Sequence, residues 1–145
     1  MKITCKQTTS KGFNLKEVTT VTSNNYDYNF GGYGIELNKE YLVMGIAIYK
    51  NSNCLYYLTD VNGEPDWFPY LLFDVADNYI PRNWFILVSG KNDDTGIYLL
   101  CGFDELCNDS DFHDQLLEGD EEAMRIYFRR RMELEKELLE KELLE

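Results

Sequence analysis

The chain carries one histidine, His113, only 3 prolines, and 4 cysteines (Cys5, Cys54, Cys101 and Cys107) with no CxxC spacing. A lone imidazole among dispersed thiols does not meet zinc-ligand spacing. No Ser or Cys stands in a nucleophile setting such as GxSxG. His113, in Asp111-Phe112-His113-Asp114, therefore reads as a helix-face histidine rather than a catalytic base. Gly31-Gly32-Tyr33-Gly34 lacks the lysine of a phosphate cradle. Asp60-Val61-Asn62-Gly63-Glu64 matches the start of a calcium loop, but Pro65 and Leu71 occupy its sixth and twelfth positions. No catalytic, cofactor or metal site is expected. There is no apolar stretch of membrane-spanning length. Lys2 and Lys6 are followed by Gln7-Thr8-Thr9-Ser10 where a signal peptide would place its apolar core. A cytoplasmic protein with reduced thiols is the expectation.

The most informative absence is of positive charge. Lys and Arg are missing from residues 104–122, where Asp104, Glu105, Asp109, Asp111, Asp114, Glu118, Asp120, Glu121 and Glu122 stand. The formal net charge is −12, and this stretch supplies −9 of it. A field of that sign repels nucleic acid and anionic membrane, and steers basic proteins toward the chain. Arg125, Arg129, Arg130 and Arg131 follow, and are expected to pair at i±4, as Glu121 with Arg125 and Arg131 with Glu135.

What is present is apolar and aromatic: 44% hydrophobic residues, with 11 Tyr, 8 Phe and 2 Trp in 145 residues. That suffices for a core. Ile3 and Cys5 share one face of a strand within Met1–Thr9. Residues 10–40 read as loop with one or two short strands around Thr19–Thr22 and the cluster Tyr26, Tyr28, Phe30 and Tyr33. Tyr41–Tyr49, Cys54–Thr59, Trp67–Val75, Trp84–Val88 and Ile97–Cys101 read as strands. Asn62-Gly63 is the strongest turn pair, and Pro69 requires an edge, a bulge or a strand start. After Gly102 the pattern becomes helical. Asp109 or Ser110 caps a short helix ending before Gly119, and Asp120 caps a long one toward Glu145. Met124, Tyr127, Arg131, Leu134 and Leu138 form its stripe, while the Glu-Lys-Glu-Leu-Leu repeat of period five spreads the last leucines around the axis.

The expected fold is α+β: an antiparallel β-meander or SH3-like small barrel over residues 1–103, followed by C-terminal helices over 104–145, packed on it or extending from it. Helix caps account for Asp109, Asp120, Glu121 and Glu122, which leaves Asp104, Glu105, Asp111, Asp114 and Glu118 as partner-facing candidates. Trp67, Phe68 and Tyr70, beside Pro69, are either a barrel-end plug or an exposed aromatic anchor.

Tyr41-Leu42-Val43-Met44-Gly45-Ile46, Leu55-Tyr56-Tyr57-Leu58, Trp67-Phe68-Pro69, Leu72-Phe73 and Ile80-Pro81-Arg82-Asn83-Trp84 together resemble the β-rich core of bacterial immunity proteins of polymorphic-toxin and contact-dependent inhibition systems. The resemblance spans the stretch from Tyr41 to Phe85. It implies a small acidic cytoplasmic protein that binds a toxin domain and blocks its active site, with no contact residue transferable by position. The charge favours the same partner class, because a nuclease toxin that grips phosphate is basic. Two other readings stand beside it. One is an adaptor whose C-terminal helix drives homo-oligomerisation, and the other a small hydrolase built on Asp109, Asp111 and Asp114.

Overall fold

The computed structural model describes residues 1–9, 12, 32–50, 54–89 and 96–145. The strands and turns expected around Thr19–Thr22, Tyr26, Tyr28 and Phe30, at 51–53 and at 90–94, lie outside the described residues. In chain order come β1 (Lys2–Cys5), β2 (Glu40–Leu42), β3 (Gly45–Tyr49), β4 (Leu55–Val61), β5 (Glu64–Pro69), a 3-10 turn (Tyr70–Leu72), β6 (Phe73–Asp77), β7 (Phe85–Val88) and β8 (Ile97–Gly102). Helices α1 (Asp104–Asn108), α2 (Phe112–Leu117) and α3 (Glu121–Leu144) follow.

All pairings are antiparallel, in a three-stranded sheet ordered β2-β1-β6 and a five-stranded sheet ordered β5-β4-β3-β8-β7. The fold is α+β. Strands β3, β4 and β5 form the expected meander, and β8 then returns to the other side of β3. The described strands do not roll into a closed barrel, since each sheet ends in edge strands.

The five-stranded sheet is the middle layer. Successive residues of a strand point to opposite faces, and β4 is covered on both. Tyr56 and Leu58 join a cluster with Trp67, Leu100, Phe103, Leu106, Phe112, Tyr127, Leu134 and Leu138, beneath the helices. Tyr57 joins Ile3, Cys5, Tyr41, Phe68 and Phe73, beneath the small sheet. The helical segment thus shares a buried cluster with the β-rich part of the chain and packs on it.

The run Tyr41–Tyr49, expected as one strand, divides between the two sheets. Val43 donates its N–H to Met1 O at 3.0 Å and Met44 to Leu58 O at 2.7 Å, and both side chains are buried. Directly after the crossover Gly45 pairs with Gly102, and a Cβ on either would lie 2.6 or 2.7 Å from Leu106 Cδ2. Two glycines in register let α1 lie directly on the sheet. Trp67–Val75 also divides. β5 ends at Pro69 on a sheet edge, where the missing N–H is tolerated, and the 3-10 turn carries the chain to β6 in the small sheet. Asn62 (φ 52°) and Gly63 (φ 80°) make the β4–β5 turn, the two positive φ values that a type I′ hairpin needs.

Around Gly119 the helix ends are as the sequence predicts. Gly119 N–H reaches Leu116 O at 3.1 Å and Asp120 N–H reaches Gln115 O at 2.9 Å, a Schellman closure of α2. The Asp120 carboxylate then accepts from Ala123 N–H at 3.0 Å and starts α3. Ala123, Tyr127, Leu134 and Leu138 are the buried face of α3, while Leu139, Leu143 and Leu144 are exposed. Arg131, in the same stripe, reaches the Asp60 carboxylate at 3.0 Å, which also accepts from the Tyr127 hydroxyl at 2.9 Å. The link from β6 to β7 is tied to α3 by Tyr79 and Arg82, both donating to Glu137.

Candidate functional site

Trp67 and Phe68 belong to the interior. As neighbours on β5 they point to opposite faces, Trp67 (1% exposed) toward the helices and Phe68 toward the small sheet. Both are buried, which corrects the exposed-anchor reading; with no closed barrel among the described strands there is no barrel end to plug, and the two are core residues of the two faces. Tyr70, in the 3-10 turn, is exposed, without the other two beside it on the surface.

His113 explains what holds Trp67. The indole N–H donates to His113 Nε2 at 2.9 Å, the Tyr49 hydroxyl lies 3.2 Å from the same nitrogen, and the two rings stack at 5.8 Å. An indole nitrogen can only donate. Nε2 is therefore the acceptor, and the proton sits on Nδ1, 3.3 Å from Asp114 Oδ1. Burial pushes the Tyr49 phenol upward, so it stays a donor. With its lone pair engaged by these donors, His113 fastens α2 to the sheet.

The acidic run divides by environment. Glu105 forms a clamp between α1 and α3, with Arg130 Nε at 2.7 Å, Arg130 again at 3.0 Å through its second nitrogen, and Arg129 at 3.4 Å. The Arg130 hydrogen bonds hold its carboxyl below the ordinary glutamate range against the opposing effect of burial. Glu105 is thus a structural residue and leaves the set of partner-facing candidates. Neither Asp109 nor Ser110 caps α2, whose N-cap is Asp111 without a side-chain bond, because Asp109 closes α1 and accepts from Asp111 N–H at 3.1 Å. Asp120 caps α3, and Arg125 lies 3.8 Å from Glu121 and 2.8 Å from Glu122. The expected pair of Arg131 with Glu135 is also present. Arg125, Arg129, Arg130 and Arg131 are therefore all paired with carboxylates.

Asp104, Asp111, Asp114 and Glu118 remain, all exposed on or beside α1 and α2. Asp104 accepts from Asn108 at 2.7 Å, and the Asp114 side chain is 82% exposed. Among the described residues none of the four has a Lys or Arg within salt-bridge distance.

Other chemistry finds little support in the surroundings. All four cysteines are free and buried, and burial pushes the Cys107 thiol up to about 11, so it stays protonated. Among the described residues no group of three His, Cys, Asp or Glu side chains could hold a metal ion, and no helix is long and apolar enough to cross a membrane. A groove of about 390 Å³ between β2 and α3 is lined by Lys2, Glu40, Leu42, Arg131, Glu135 and Leu138. Its charges pair internally, Lys2 with Glu40 at 3.7 Å and Arg131 with Glu135.

A feature that the sequence does not disclose is the surface of β7. Phe85, Ile86, Leu87 and Val88 are 46, 70, 42 and 59% exposed on an edge strand. A short continuous apolar run reads as a strand buried on both faces, and nothing within it distinguishes an edge from a centre. No protein-family model matches the chain, and neither a curated protein nor a solved structure shows significant similarity to it.

Proposed function

We propose that the protein is a non-enzymatic binding protein that holds a basic protein domain against its α1–α2 surface, and that it serves in the cytoplasm as an immunity protein blocking a toxin domain. The observation that carries this reading is the separation within the acidic run. Asp104, Asp111, Asp114 and Glu118 are exposed without a Lys or Arg partner among the described residues, while Glu105, Glu121 and Glu122 neutralise the neighbouring arginines. A protein surface ordinarily mixes both signs. Exposed carboxylates of one sign on short helices, fixed to a sheet by Leu106, Phe112 and Leu116, are preorganised for a cationic surface. The engaged lone pair of His113 and the buried thiols favour binding over catalysis.

The test is affinity capture from the source cells with the wild type and, in parallel, a variant carrying Asp104→Asn, Asp111→Asn, Asp114→Asn and Glu118→Gln. Retention of a basic toxin domain by the wild type and its loss by the variant support the reading. Identical proteins on both columns refute it.

A further inference from the structure

Among the described residues strand β7 closes one side of the five-stranded sheet, and it lacks the sequence features that protect an edge. It carries no Lys, no Pro and no charge, and its register with β8 runs without a bulge from Phe85↔Gly102 to Val88↔Leu99. Natural edge strands are ordinarily blunted by such features, because open N–H and C=O groups pair with any strand that arrives. The open groups are identifiable here. Ser89 N–H donates to Tyr98 O at 2.9 Å, which makes Ser89 and Tyr98 a hydrogen-bonded pair. In an antiparallel ladder such pairs alternate, so Leu87 and Phe85 also bond to β8. Ile86 and Val88 then turn their N–H and C=O groups outward to the open edge.

We propose that β7 is a self-association site, at which two copies of the chain pair β7 with β7 in antiparallel register about a two-fold axis at Leu87, joining two five-stranded sheets into one. In this register Ile86 lies opposite Val88 of the second copy, and Val88 opposite its Ile86. All outward N–H and C=O groups of both residues are then satisfied. Leu87 meets Leu87, and Phe85 comes opposite Ser89 beside the exposed Tyr98. The strand is its own complement, the condition for an isologous contact.

Self-complementarity and charge favour a second copy as the occupant. With residue areas of roughly 150–250 Å², the exposed parts of Phe85, Ile86, Leu87 and Val88 come to on the order of 400 Å² per copy. An edge-to-edge contact covers the part that flanks the open edge, so the dimer is small, concentration-dependent and held chiefly by the main-chain hydrogen bonds of Ile86 and Val88. The chain carries −12 overall, but none of it lies on Phe85–Ser89, so the pairing register itself sets no like charges opposite one another. An uncharged edge offers nothing to select a basic partner. This contact uses residues other than Asp104, Asp111, Asp114 and Glu118, although α1 packs on β7 with Cys107 Sγ 3.5 Å from Phe85 O, and its failure leaves the binding reading intact.

Sedimentation equilibrium over a concentration series, combined with amide hydrogen exchange, tests it. The wild type is expected to pass from 17.0 kDa to twice that mass. Protection of the Ile86 and Val88 amides should rise with concentration, while the Leu87 amide, bonded to Leu100, stays protected throughout. Ile86→Lys places a charge on a side chain that faces solvent in the monomer, and Val88→Pro removes an N–H that the β7–β8 ladder does not use. Both should remain folded by circular dichroism and monomeric at every concentration, whereas Leu139→Lys on α3 should still dimerise. A wild type that stays monomeric overturns the proposal, as does a dimer that survives both β7 changes or is lost only in Leu139→Lys. Protection of Ile86 and Val88 that appears only when another protein is added would assign the edge to a partner's strand and likewise overturn it.

Discussion

Asp66 sits on β5 between Pro65 and Trp67, and burial pushes its carboxyl from 3.8 up to about 6, only partly offset by the hydrogen bond it accepts from Trp67 N–H at 2.8 Å. A carboxyl with a raised folded-state pKa binds its proton more tightly when folded. Its contribution to stability is complete below about 3.8 and is lost as pH rises through about 6. Asp66→Asn keeps the acceptor without the buried charge. It is expected to stabilise the protein by up to about 3 kcal/mol at neutral pH and to flatten its stability between pH 4 and 6, as measured by urea unfolding across that range. A second prediction concerns His113. His113→Ala leaves the Trp67 indole N–H without its acceptor inside the core, at a cost of about 1–3 kcal/mol. His113→Gln, which supplies an amide oxygen, should recover part of that loss in the same measurement. The opposite destinations of Trp67 and Phe68 follow from strand alternation, which is legible in the sequence. Invisible there is a covering layer on each face of β5, and so a hot spot and a plug read alike.

At the scale of elements, the C-terminal helix divides into a working part and a loose end. Leu138 is buried under the sheet, while Leu143 and Leu144 stand clear of it. Leu134→Ala or Leu138→Ala is expected to cost about 2–5 kcal/mol, whereas deletion of residues 143–145 should leave the melting temperature nearly unchanged. The clamp between α1 and α3 has its own pH signature. The Glu105 carboxyl is lowered in the folded state, so its contribution is present above the ordinary glutamate range and disappears as pH falls through the lowered value. Glu105→Gln should cost about 1 kcal/mol at neutral pH and little in acid, which thermal unfolding at the two pH values checks. Elements with local chemical signals were readable: the Asn62-Gly63 hairpin, the Gly119 closure and the Asp120 cap. The division of Tyr41–Tyr49 between two sheets was not, because it takes place at Val43 and Met44, two apolar residues with no turn character. Helix α1 spans five residues, too short to show a period. The exposure of β7 is a property of sheet order, which no local pattern encodes.

At the scale of the molecule, three layers hold a surface of one charge in place. The large sheet is covered over β3–β5 by the small sheet on one face and by the helices on the other, so Asp104, Asp111, Asp114 and Glu118 ride on elements fixed by Phe103, Leu106, Phe112 and Leu116. The one-signed acidic run itself was legible in the sequence. The assignment of Glu105 to an internal clamp rather than to the partner was not, because its arginines lie 24 and 25 residues away. The measurement that bears most directly on the binding reading is the affinity for the captured basic domain across a salt series, for the wild type and for the variant neutralised at Asp104, Asp111, Asp114 and Glu118. If these carboxylates hold the partner, wild-type affinity falls steeply with ionic strength. The variant should bind at least about tenfold more weakly at low salt, with a flatter dependence. Equal affinities with the same weak salt dependence would contradict the account.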